Sequence, residues 1–210
     1  MTLRKSPSPR RHPTLAALVL AGIALSGCSG IALPDMSTMM APHLPAMGWD
    51  ARPEATSWTQ ASLLAVAEQD AVLASRIPAD VAQWCPGYET AGVNDRRAFW
   101  SGLLSAVAKH ESSWNPKAAG GGGRWIGLMQ ISPATARTHG CDATSSAALK
   151  DGEANLECAV QIMAAQVAAD REVSGSRGTR GIGRDWAPLR SSSKRSEMQG
   201  WTASQDYCRG

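Results

Sequence analysis

NDRRAFWSGLLSAVAKHESSWNPKAAGGGGRWIGLMQISP, residues 94–133, is the stretch on which the fold turns, and Glu111 stands at its centre. Behind a candidate N-cap at Asp95, Trp100, Leu104 and Val107 recur at helical spacing, with Phe99 and Leu103 widening the stripe. At about 100° per residue, three turns carry the helix from Trp100 round to Glu111 on the same face. A carboxyl forced against apolar neighbours has a raised pKa, which is what a general acid needs near neutral pH. Pro116 disfavours helix at Asn115, so the helix is predicted to stop within a turn of Glu111 and leave it at the rim of a cleft. A glutamate near a helix end is, taken alone, usually a solvated surface group. The residues that follow change that.

Glu-Ser-Ser-Trp-Asn-Pro, a glycine-rich connection and then Gly-Leu-Met-Gln resemble the first two motifs of the lytic transglycosylase catalytic domain, a lysozyme-like family that cleaves peptidoglycan. The matching positions are Glu111, Ser112, Trp114, Pro116, Gly127, Leu128, Met129 and Gln130, and Asn155 near the start of a later helix extends the similarity over residues 96–170. The resemblance implies a mainly α, lysozyme-like fold of the goose-type lysozyme and lytic transglycosylase kind, with a small irregular β-hairpin beside the active site. It implies Glu111 as the catalytic residue and Ser112 as a hydrogen-bond partner of Glu111 or of substrate. Gly127, Leu128, Met129 and Gln130 would position the sugar, and Asn155 would help order the site. The family's usual Ala-Tyr-Asn motif does not occur; Asp185-Trp186-Ala187-Pro188-Leu189-Arg190 occupies that region, and either Trp186 supplies a wall of the site or the tyrosine's function is lost.

Residues 1–28 read as an export signal. Arg4, Lys5, Arg10 and Arg11 precede an apolar run, Leu15 to Leu25, that is too short to span a bilayer comfortably. Leu-Ser-Gly-Cys resembles a bacterial lipoprotein signal, in which Cys28 becomes the lipidated first residue. Attachment to a membrane through that lipid, in the periplasm and at the outer membrane, is the expected location. Removing the signal leaves 17 cationic against 18 anionic side chains, so the full chain's formal charge of +3 makes no case for nucleic acid. Residues 29–55, with Pro34, Pro42, Pro45 and Pro53, read as a tether, and 56–210 as the catalytic domain.

With Cys28 set aside, Cys85, Cys141, Cys158 and Cys208 suggest two disulfides with three possible pairings. Cys141 with Cys158 and Cys85 with Cys208 is the favoured set: the first braces the turn after the second motif, the second ties back the C-terminus. No CxxC pair is present and His12, His43, His110 and His139 lack ligand spacing to the cysteines, so no metal and no cofactor are expected.

Thr56 or Ser57 is expected to cap a helix reaching about Ser75, followed by a helical turn over 79–84. Gly120 to Gly123 form no phosphate loop, because no Gly-Lys-Ser/Thr follows; they fit a loop lining a cleft. Ser132-Pro133 reads as N-cap and first helical residue, Asp151 as the cap of the helix carrying Asn155, and 191–205 as a last helix. Arg177, Arg180 and Arg184 fit a solvated face better than a site for peptide carboxylates.

Glycoside cleavage ordinarily takes two carboxyl groups, and none besides Glu111 stands at a motif position. One suffices where the substrate supplies the nucleophile, as the family's logic implies: Glu111 acts as acid and then as base, and the sugar's own 6-hydroxyl closes an anhydro ring. Of eight tryptophans, Trp125 and Trp186 beside the glycine-rich loops are the stacking candidates, and Trp100 and Trp114 are assigned to the core. The expected partner is the peptidoglycan strand, bound by a monomer. A hydrolytic muramidase and an inactive peptidoglycan-binding lipoprotein are the alternatives.

Overall fold

The computed structural model describes residues 43–209. The export signal, Cys28 and the first part of the tether, 29–42, lie outside the described residues.

The axis of the domain is α2, Val93–Ser112. Residues 98–108 are buried without a break, so this helix is enclosed on all sides rather than along one stripe. It begins behind Gly92, held extended at φ −66° and ψ 162°, three residues earlier than a cap at Asp95 would allow. Asp95 falls in the first turn, where a carboxylate favours the positive end of the helix dipole. Its other end is sharp: Ser113 turns left-handed at φ 51° and its N–H donates to the Lys109 carbonyl at 3.1 Å.

Two helices pack on this axis, and a third backs one of them. α1, Ala55–Glu68, packs against α2 and against α4, Gly152–Asp170, while α5, Ser192–Ala203, packs against α2. α1 starts behind Glu54 with no side-chain cap and ends seven residues before the expected Ser75, because 69–75 run as consecutive turns. The caps predicted at Asp151 and Ser132 form: Asp151 accepts the Ala154 N–H at 3.0 Å, and Ser132 accepts that of Thr135 at 3.0 Å ahead of α3, Pro133–Thr138. Ser191, expected inside the last helix, caps it instead by accepting the Lys194 N–H. A hairpin of β1, Ala119–Gly120, and β2, Trp125–Ile126, pairs Ala119 with Ile126 and Gly120 with Trp125. The domain is mainly helical with one very short hairpin, as expected.

The expected tether does not run to residue 55. Met47 and Trp49 are buried in the core, the Trp49 indole N–H donates to Thr59 at 2.9 Å, and the Gly48 N–H donates to Ser105 Oγ on α2 at 2.8 Å. A buried indole, a buried thioether and a buried hydroxyl acceptor make 43–54 part of the fold despite its proline content. The disulfides pair as favoured, Cys85 with Cys208 and Cys141 with Cys158.

Candidate active site

Glu111 lies in the last turn of α2, half-buried where the helix emerges from the core. Among the described residues no group donates a hydrogen bond to its carboxyl. Burial pushes its pKa up to about 7, and the Lys194 cation on α5 pulls the other way by less. No other charge is resolved at Glu111, so the half-protonated carboxyl is set by desolvation rather than by a second carboxylate.

The backbone around this group is strained. Among the described residues four that are not glycine have positive φ, and three of them, Ser113, Trp114 and Gln130, lie on the two loops next to Glu111 in the motif order. Two glycines of the loop make room for side chains. A Cβ at Gly120 would collide with Gln130 Oε1, and one at Gly121 with the Trp125 ring, whereas Gly122 and Gly123 form the open tip. Gln130 is pinned across the hairpin, its amide donating to the Gly127 carbonyl at 2.9 Å. Trp125 is 44% exposed and has the Arg124 guanidinium 5.4 Å from its ring centroid. It stays available as a platform.

Asn155, in the first turn of α4, holds the loop from behind. Its Oδ1 accepts the Met129 N–H at 2.8 Å, and its Nδ2 donates to the Ile126 and Leu149 carbonyls at 3.1 and 2.9 Å. Gly127 sits against that amide at φ 80°, and a Cβ there would strike both Asn155 and the Leu149 carbonyl. From the opposite side the Trp186 indole N–H donates to the Met129 carbonyl at 2.9 Å. Both hydrogen-bonding groups of the Met129 backbone are thus claimed by buried side chains from distant parts of the chain.

Three of the expected site contacts are therefore corrected. Leu128 and Met129 are 0% exposed and Trp186 3%, so their side chains cannot touch a substrate, whereas Asn155, also 0% exposed, orders the loop as expected. Burial of Met129 follows from its two backbone tethers, which turn the side chain into the core. Ser112 donates to the Ala108 carbonyl, a back-bond one turn down its own helix, and not to Glu111. Gly127 is buried as well, which leaves Glu111, Ser112, Gln130 and Trp125 as the accessible part of the expected set. Trp100 is core, donating to the Tyr88 hydroxyl at 3.0 Å, and Trp114 is partly buried with its N–H on the Ser105 carbonyl at 2.8 Å. Arg180 and Arg184 are engaged by Asp170, with Arg180 also on Glu172, so this part of the basic loop is structural. Lys194 was not legible as a site residue, because nothing in α5 advertises its proximity to a helix some eighty residues earlier.

Residues 91–172 match the family model described as the transglycosylase SLT domain. No curated protein sequence matches the chain. Among solved structures the fold resembles Bd0314 DslA in its wild-type form 2, with a TM-score of 0.70 at 25% identity, over 79% of this chain and 98% of that one. Two Glu-to-Gln mutants of DslA, altered at different glutamates, superpose as well, with TM-scores of 0.69 and 0.70 at 25% and 24% identity, covering 76% and 79% of this chain and 95% and 99% of those. The fold is lysozyme-like.

Proposed function

We propose that this chain is a peptidoglycan lytic transglycosylase that cleaves the bond between N-acetylmuramic acid and N-acetylglucosamine without water, leaving 1,6-anhydro ends. What carries the proposal is the setting of Glu111: a half-buried carboxyl raised to about 7 in the last turn of α2, with Lys194 as the sole resolved charge beside it. An acid with that pKa is substantially protonated near neutral pH and its conjugate base is a competent base at the same pH. Glu111 gives its proton to the glycosidic oxygen as the C1–O bond breaks, with the substrate's N-acetyl oxygen assisting at the anomeric carbon. The carboxylate then takes the proton of the 6-hydroxyl as that oxygen closes on C1. Glu111 ends protonated, ready for the next strand.

Gln130 and Trp125 position the sugar, the first by its amide across the hairpin and the second by its exposed indole face. The chain acts as a monomer, exported and held to a membrane, in the periplasm, by a lipid on Cys28. Mass spectrometry of digested sacculi tests the chemistry: anhydro-muropeptides are expected, reducing ends would make the protein a hydrolase, and sacculus binding without any product a binding module. Labelling with a radioactive fatty acid, lost in Cys28→Ala, tests the anchor.

A further inference from the structure

One face of α5 carries Lys194, Glu197, Met198 and Trp201, spaced three, four and seven residues from the first, and it faces the end of α2. Lys194 is the charge resolved at Glu111. One turn on, Glu197 takes the Lys109 ammonium at 2.6 Å and lies 3.6 Å from His110 Nε2, the residue next to Glu111. Beyond this row is a cavity of about 300 Å³ with Ala106 and Met198 as its floor, Trp114 and Trp201 as walls, and Lys109, His110 and Glu197 at its rim.

Gly48 and Gly102 border the two indoles at ordinary contact range: a Cβ on Gly48 would lie 3.4 Å from the Trp114 ring, and one on Gly102 3.5 Å from that of Trp201. His110 Nε2 is buried with no hydrogen-bond partner, an uncommitted group in the cavity wall. Burial lowers the His110 pKa against the pull of Glu197, so the ring is neutral at neutral pH and keeps one donor or acceptor to give. Lys109 and Glu197 cancel each other's charge, which disfavours a charged ligand, and three polar groups at one rim disfavour a purely apolar one. Aromatic walls with neutral hydrogen-bonding groups at the edge suit a ring that is apolar on its faces and polar around its perimeter. Ligand pockets run from roughly 300 to 1,000 Å³, so this one holds a single residue.

We propose that this cavity is a carbohydrate subsite for one pyranose, lined by the same helix, α5, that carries the cation acting on Glu111. That the pyranose belongs to a peptidoglycan strand rests on the function proposed above; the sugar-binding property does not. The test is titration of the Glu111→Gln protein with chitotetraose, followed by the indole N–H resonances in nitrogen-15 NMR. The Trp114 and Trp201 resonances are expected to shift along with the His110 ring. Trp201→Ala should weaken binding at least fivefold, and Trp201→Phe should restore most of it. Shifts confined to Trp125 and the neighbours of Gln130, with Trp114 and Trp201 unmoved, overturn the subsite. The footprint is read with Trp201 intact, so instability of the alanine variant cannot decide the matter. Sacculus cleavage with Trp201 unmoved sinks the subsite and leaves the enzyme; Trp201 shifted without any cleavage keeps the subsite and sinks the enzyme.

Discussion

Asn155 on α4 accepts the Met129 N–H at 2.8 Å, reading the backbone of a loop 26 residues earlier. The same amide serves two further carbonyls, and none of the three partners has access to water through it. Each buried group left unsatisfied costs about 1–3 kcal/mol. Asn155→Ala is expected to lose at least about 3 kcal/mol in urea unfolding, with cleavage falling further than stability predicts. An unfolding midpoint equal to wild type would show that the loop does not depend on it.

Trp186→Phe separates packing from hydrogen bonding. It keeps most of the buried ring and deletes the N–H that holds the Met129 carbonyl at 2.9 Å. The cost should be about 1–3 kcal/mol, and turnover should drop while affinity for the strand changes little, since the ring is 3% exposed. A selective loss of affinity would place Trp186 against substrate instead.

Glu111 gives a pH signature in both activity and stability. Its pKa rises from an ordinary value of 4.5 to about 7 on folding, so the folded state binds more protons between those values. Stability that it contributes below 4.5 is lost as pH rises through about 7, by at most about 3 kcal/mol. Glu111→Gln should abolish cleavage and, at pH 8, melt at a higher temperature than wild type, with the difference vanishing near pH 4. The first, acid-dependent step should fade in wild type above about pH 7. Lys194→Met removes the nearby cation and should move that alkaline limb upward by a few tenths of a pH unit, a modest effect because Lys194 is exposed. A limb that stays put excludes Lys194 from the field at Glu111.

Trp125 is the opposite case, exposed and with little to hold up. Trp125→Ala should change stability by less than about 0.5 kcal/mol but raise the KM for glycan strands several-fold. An unchanged KM would remove the platform from the site.

How much of this was legible beforehand depends on range. Helix caps at Ser132 and Asp151 and the stop after Glu111 are local consequences of neighbouring residues, and they were readable. The cysteine count, once Cys28 was set aside, gave the number of disulfides but left three pairings open, of which the favoured one forms. The motif match located the loop at 127–130 but could not say which of its residues face inward, since that is settled by Asn155 and Trp186 reaching it from 26 and 57 residues away. Lys194, Glu197 and Trp201 escaped notice for the same reason: an amphipathic helix announces that it packs, not what it packs against. Residues 43–54 were mistaken for tether because proline content speaks of backbone stiffness, whereas Met47 and Trp49 are held by tertiary partners.

The attachment of those residues has a mechanical side. The Ala46 carbonyl takes the Tyr207 hydroxyl at 3.3 Å, beside Cys208, while Gly48 is clipped to Ser105 within α2. A pull on the chain ahead of His43 would meet this clamp first, where a crosslinked C-terminus and the central helix share the load.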